Sequence, residues 1–265
     1  MTESVLYEQD GRVVTLTLNR PDTRNALSHD VVSELVAMLN KANDDESVSC
    51  LIITGEGKSF SSGGNLKDIR AMTQENNLST NELRRWYTDG IQNIPRTMQQ
   101  ITVPTIAAVN GHAIGAGCDL TMMCDIRIAS EKAIFAESFM RVGLIPGDGG
   151  AWFLPRVIGM SRACEMSYTC DFIDATKADK WGMVSEVVAP DQLMDTAMAM
   201  AKRIAAHPPI GIRLAKKLIR DSQDMPIGPA LEMAAGMQAT LQQTEDHLEA
   251  IDAVLEGRDP VYKGR

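Results

Sequence analysis

Two glycine-rich segments constrain what this chain can fold into more than any other feature. One is Phe60-Ser61-Ser62-Gly63-Gly64-Asn65-Leu66; the other runs from Asn110-Gly111-His112 through Gly115-Ala116-Gly117 to Asp119 and Leu120. Each follows an apolar run that reads as a strand, residues 50–54 and 104–109, and each leads into a segment with helical character. Glycine lets a backbone approach a ligand closely and adopt positive φ angles. Two such turns brought together would aim two backbone N–H groups at one oxygen, the geometry of an oxyanion hole. The first N–H groups of a helix have no acceptor within it and sit at its positive end, so the Ala116 amide is one expected donor. The Ser62 amide is expected as the other. Asp119 lies just beyond the second turn, where a carboxylate can act on whatever is held; capping of the helix is its structural alternative.

The remaining pattern says what surrounds these turns. Residues 13–18 alternate and read as a half-buried strand, and Asn19-Arg20-Pro21-Asp22 is turn chemistry. Ser28 is placed to cap a helix whose apolar positions include Val31, Val32, Leu35, Val36, Leu39 and Ala42. Further strands are expected at 48–54, 104–109, 125–130 and 133–135, with a short apolar helix at 119–123. Continuous apolar strands alternating with helices predict an α/β fold of parallel sheets covered by helices. Residues 66–100 are polar and read as helical segments and a mobile loop beside the site, with Arg84, Arg85, Trp86 and Tyr87 clustered. Beyond Pro190 the pattern is helical, at 193–206, 210–220 and 229–255. Lys216, Lys217 and Arg220 fall toward the end of the second of these, where cations suit the helix dipole. The expected organisation is a core of residues 1–192 and a helical assembly element of residues 193–265. No fixed-period repeat is visible in the residues themselves.

Composition excludes several classes. The chain has 265 residues, 44% of them apolar and 23% charged, ordinary globular values that argue against disorder. Its net charge of −9 argues against nucleic acid as a partner, because binding phosphates needs a basic surface. The four histidines and five cysteines form no metal-ligand spacing and no C-x-x-C pair, so no metal is expected, and reduced thiols of a cytoplasmic protein are. No secretory signal and no membrane-spanning run is read from the sequence.

Ordered motifs along nearly the whole chain resemble the crotonase family, the enoyl-CoA hydratase/isomerase superfamily. Asn19-Arg20-Pro21 with Arg24-Asn25-Ala26-Leu27-Ser28 is similar to its coenzyme A loop; the two glycine segments, followed by Met123-Cys124-Asp125, are similar to its two oxyanion segments. Gly143-Leu144-Ile145-Pro146-Gly147-Asp148-Gly149-Gly150, Leu154-Pro155-Arg156, Trp181-Gly182-Met183-Val184 and the terminus from Pro260 to Arg265 follow in register. The resemblance implies a spiral of β-β-α turns with a C-terminal helical part that drives trimerisation, singly or as a dimer of trimers. It implies an acyl-CoA substrate whose thioester carbonyl is held by the Ser62 and Ala116 amides as an enolate forms, with no cofactor beyond the coenzyme A of the substrate. Arg24, Ala26, Leu27, Gly63, Gly64, Asn65, Leu66, His112, Gly115, Phe139 and Lys263 are the implied binding positions. Hydratases of the family use two glutamates; the first corresponds to Asp119, and the second falls at Phe139, which cannot transfer a proton. Asp148 is the leading replacement, Glu137 a weaker one. The expected activity is hydration or isomerisation of an unusual enoyl-CoA, with Asp119 first and Asp148 second as the groups that move protons around the bound enolate. A C–C bond or thioester hydrolase of the same fold, or a non-catalytic acyl-CoA binder, are the alternatives.

Overall fold

The computed structural model describes residues 3–74 and 78–265. Strands β1 (Val5–Asp10) and β2 (Val13–Leu18) form an antiparallel hairpin, and helix α1 (His29–Asp44) follows. Three successive strand pairs then repeat one path: β3 (Cys50–Gly55) with β4 (Ser59–Ser61), β5 (Thr105–Val109) with β6 (His112–Ile114), and β7 (Ile126–Ser130) with β8 (Ile134–Ala136). The first member of each pair joins a six-stranded sheet of order β1-β2-β3-β5-β7-β10. The second joins a four-stranded sheet of order β4-β6-β8-β9. Here β9 is Ile173–Asp174 and β10 is Glu186–Val188. From β2 to β10 the large sheet is parallel. This is the β-β-α spiral implied by the motifs.

Helices fill the returns. After β4 come α2 (Leu66–Gln74), α3 (Thr80–Asp89) and α4 (Asn93–Gln100); after β6, α5 (Ala116–Met123); after β8, α6 (Gly150–Ile158), α7 (Met160–Thr169) and α8 (Ala175–Lys180). The expected loop within residues 66–100 falls partly on 75–77, outside the described residues. The chain ends in α9 (Leu193–Ala205), α10 (Pro209–Asp221), α11 (Ile227–Leu241) and α12 (Glu245–Glu256).

The continuous apolar strands have a direct cause: both faces of the large sheet are buried. Leu51, Ile53, Ala107 and Val109 face one core, closed by α1, α4 and α5. Cys50, Ile52, Ile106 and Ala108, the alternate residues, face a second core closed by Leu193, Ala197 and Ala201 of α9. The first helix of the C-terminal segment thus covers the sheet.

Two local expectations fail. Ser28 precedes α1 but its hydroxyl donates to the Asp30 carboxylate rather than accepting from the helix backbone. Lys216 and Arg220 do not merely complement a dipole. They converge on Asp125, with Lys216 Nζ 2.9 Å from Oδ2 and Arg220 Nη2 2.7 Å from Oδ1. Both also donate to main-chain carbonyls, of Val103 and Met123 respectively, so α10 is stapled to the core by buried charge.

Candidate functional site

The site begins with the loop of residues 24–28, whose backbone is unusual at two consecutive residues: Arg24 and Asn25 have φ of 58° and 55°. Asn25, fully buried, holds that conformation. Its Nδ2 donates to the carbonyls of Glu56 and Ser59, at 3.0 and 2.7 Å, and its Oδ1 accepts from the Arg20 amide. Further bonds zip this loop to the first glycine turn. Leu27 N–H donates to Gly63 O at 2.8 Å, Ser62 N–H to Arg24 O at 2.8 Å, and Ser61 Oγ to Asn25 O at 2.7 Å.

Those bonds correct one expectation. The Ser62 amide is consumed by Arg24 and the Gly63 amide by Ser61 Oγ at 3.1 Å. Neither is free for a ligand oxygen. Among the described residues no acceptor takes the Gly64 amide, and Gly64 lies on the cavity wall. The amide of the first turn left open to a ligand oxygen is therefore that of Gly64, not Ser62. Ala116 is itself the first residue of α5, which begins before the expected 119–123, and it lies at the same wall. The two turns do meet. Gly63 has φ of +81°, and a methyl on its Cα would lie 2.4 Å from Ile114 O and 3.2 Å from Ala116 N, so a side chain there would push the turns apart.

The amides face a cavity of about 960 Å³. Leu27, Ser62, Gly64, Asn65, Leu66, Gly115, Ala116, Phe139 and Asp148 are the sequence-predicted residues on its wall. Arg24, Ala26 and Gly63 shape the loops behind the wall. His112 is exposed on β6, and Lys263 is tied to α12, its amide donating to Asp246 and its ammonium 3.4 Å from Glu245; neither lines the cavity. Trp86, Tyr87, Gln92 and Arg96 also line it. Only the aromatic cluster in that set left a trace in the sequence. Gln92 and Arg96 sit in a polar stretch with nothing to mark them.

Phe139, where a second glutamate was missing, sets its ring against Gly115; a methyl on Gly115 Cα would lie 3.7 Å from the ring. The carboxyls lie elsewhere. Asp148 is 8% exposed, on the wall, and burial pushes its carboxyl up to about 6. Asp119 is 0% exposed and Glu137 1% exposed, both beneath the wall, and none of their four oxygens has a hydrogen-bond partner. Burial raises Asp119 well above the ordinary range, and the neighbouring Glu137 raises it further. Burial likewise pushes Glu137 up to about 7. Two adjacent buried carboxylates cannot both be charged at modest cost, and a proton held between them removes one of the charges. The backbone makes room for Asp119 at Gly150, where a methyl would lie 2.1 Å from Oδ1.

Two turn amides at the wall of a large, mostly apolar cavity, with one buried carboxyl among its lining residues, suit a carbonyl-bearing acyl group. A model of the enoyl-CoA hydratase/isomerase family matches residues 8–265. The 2,3-dehydroadipyl-CoA hydratase of Escherichia coli (strain K12) is 36% identical over 265 residues, covering 100% of both chains. The 1,2-epoxyphenylacetyl-CoA isomerase of the same organism is 33% identical over 267 residues, again covering 100% of both. A crystal structure of the enoyl-CoA hydratase from Bacillus anthracis superposes with a TM-score of 0.90 at 34% identity, covering 99% of this chain and 100% of that one. The chain belongs to the enoyl-CoA hydratase/isomerase family and has the crotonase fold. It is an enoyl-CoA hydratase/isomerase-type enzyme.

Proposed function

We propose that the protein moves a carbon–carbon double bond within an acyl-CoA thioester, with Asp148 carrying the proton. The thioester carbonyl accepts from the Gly64 and Ala116 amides. The Asp148 carboxylate takes a proton from the acyl chain, the electron pair moves toward the carbonyl to give a dienolate, and the amides stabilise the oxygen that becomes negative. Asp148 returns the proton to another carbon of the same chain, so nothing is added or lost. The reaction needs no cofactor beyond the coenzyme A already on the substrate.

The observation that carries this reading is that Asp148 is the one buried carboxyl on the wall among the described residues, while Phe139 supplies apolar surface where a second proton-transfer group was expected. One carboxyl suffices for a proton shift along a chain; adding water needs a second group to position and activate it. Hydration is the second reading, favoured by the hydratase names among the relatives. A panel of enoyl-, dienoyl- and β-oxoacyl-CoA thioesters, with products weighed by mass spectrometry, separates them. Isomerisation conserves mass and hydration adds a water; a hydrolase frees coenzyme A or splits the acyl chain. Turnover that survives in Asp148→Asn overturns the assignment of the proton to Asp148.

We further infer that α11 and α12 pack against other copies of the chain, as a trimer or a dimer of trimers. Ile227, Leu231, Leu248, Val254 and Leu255, all strongly exposed in the protomer, support this. A cytoplasmic location belongs to the same reading, supported by five cysteines that all remain unpaired.

A further inference from the structure

Asp148 stands between Gly147 and Gly149, in a loop closed by two bonds of its own, Gly147 N–H to Ile145 O at 2.7 Å and Ala151 N–H to Pro146 O at 3.3 Å. Neither local bond engages the Gly147 carbonyl, which is held from α4 and the turn before it. Gln92 Nε2 donates to Gly147 O at 3.0 Å, the carbonyl of the peptide that leads into Asp148. Gln92 Oε1 in turn accepts from Arg96 Nη2 at 3.4 Å, which fixes which end of the amide faces the loop. Arg96 Nη1 donates to Thr88 O at the end of α3. On the other side of Asp148, a methyl on Gly149 would lie 3.2 Å from Pro95 Cβ and 3.0 Å from Met123 Cε, so the backbone there rests directly on α4 and α5. The base of this arrangement is rigid, because α4 buries Ile94, Thr97 and Met98 in the core.

We propose that Gln92, oriented by Arg96, is the positioning residue that aims the Asp148 carboxyl at the substrate. The inference rests on the reading of Asp148 as the proton carrier. The peptide before Asp148 is flanked by glycine, and its rotation swings the carboxyl. A side-chain amide that both accepts from Arg96 and donates to Gly147 O opposes that rotation. Displacing a reacting group by about 1 Å can cost about 100-fold in rate.

Gln92 also touches the cavity, so a role in binding must be told apart from a role in aiming. Gln92→Met keeps the length and removes the donor; Gln92→Glu keeps the acceptor for Arg96 and, ionised, cannot donate. Steady-state kinetics are measured on the acyl-CoA thioester turned over fastest in the panel, beside Asp148→Asn. Amide hydrogen exchange of residues 147–150 is measured on the same proteins without substrate. The expected result is a fall in kcat of about 10- to 100-fold in both Gln92 variants, with KM changed less than about twofold. Exchange at 147–150 rises about fivefold or more, while β5 and α5 stay protected. A raised KM at unchanged kcat makes Gln92 a binding residue and overturns the proposal. Unchanged exchange at 147–150 overturns it too, whatever the substrate. An inactive Asp148→Asn beside a fully active Gln92→Met overturns the proposal alone; an active Asp148→Asn overturns the reading beneath it.

Discussion

Three acidic side chains of this site occupy two different environments, and the difference sets what each does. Asp148 has the cavity beside it, and with its carboxyl raised to about 6 it is ionised at neutral pH yet basic enough to take a proton. We expect kcat/KM to rise with pH through about 6 as Asp148 ionises, and Asp148→Asn to lose about 100-fold or more in kcat; a flat profile between pH 5 and pH 7 would contradict this. Asp119 and Glu137 have no such outlet. Their raised values mean that the folded state binds protons more tightly than the unfolded chain. The stabilisation from that is complete below the ordinary carboxylate range; the part from Glu137 is lost as pH climbs through about 7, and the part from Asp119 is likewise lost above the ordinary range. For Asp148 alone the same arithmetic gives a loss on the order of 3 kcal/mol. Thermal unfolding is therefore expected to move to lower temperature as pH rises from about 5 to about 8. The double variant Asp119→Asn with Glu137→Gln keeps the shapes and removes two of the titrations, so its curve should be flatter. A wild-type melting temperature that climbs across this window would show that the carboxyls are not buried as described.

Elements decide how the two glycine turns come together, and this is where the sequence was most and least informative. The strands, the short helix after the second turn and the helical C-terminus were legible because apolar periodicity and glycine punctuate them directly. The donor in the first turn was not. Phe60-Ser61-Ser62-Gly63-Gly64 offers several amides, and the choice among them is made by Arg24 O and Ser61 Oγ, which consume those of Ser62 and Gly63. That depends on Asn25 holding a left-handed backbone and bonding β4, contacts between residues remote in sequence. Burial of Asp119 was equally invisible, since it follows from how α5 packs against α6, whose Gly150 leaves room for the carboxyl. Gly63→Ala tests the junction: its methyl would meet Ile114 O, so the Gly64 and Ala116 amides should part. Losing one oxyanion donor costs about 100- to 1,000-fold in kcat, which steady-state kinetics would read, with the fold retained by circular dichroism. Element packing also explains Asp125, a residue the motif reading left without a role. It receives Lys216 and Arg220 of α10 and the Thr105 amide of β5. Asp125→Ala would leave the Lys216 ammonium buried without its carboxylate, an expected loss of about 3–5 kcal/mol in denaturant unfolding.

At the scale of the whole molecule, the chain repeats a path without repeating a sequence. Each strand pair sends its first strand to the large sheet and its second to the small one, so successive turns stack and every glycine turn emerges on the same side of the spiral. The core is then complete before the last two helices are laid down, because α9 already closes the second face of the large sheet. Those last helices, α11 and α12, bury only Ala230, Asp246 and Ala253. Val254 and Leu255 are each 80% exposed, Ile227 75% and Leu231 61%. Covering such apolar side chains in an assembly would contribute about 1.5–3 kcal/mol for each one fully buried. Sedimentation of the wild-type protein at micromolar concentration should therefore show an oligomer. Leu231→Lys with Leu255→Lys places two charges in the same surface and should shift the population to protomers. Circular dichroism should stay unchanged, because neither side chain supports the protomer core. A wild-type protein that sediments as a protomer, or a double variant that assembles as well as the wild type, would mean that these helices face solvent and not another copy.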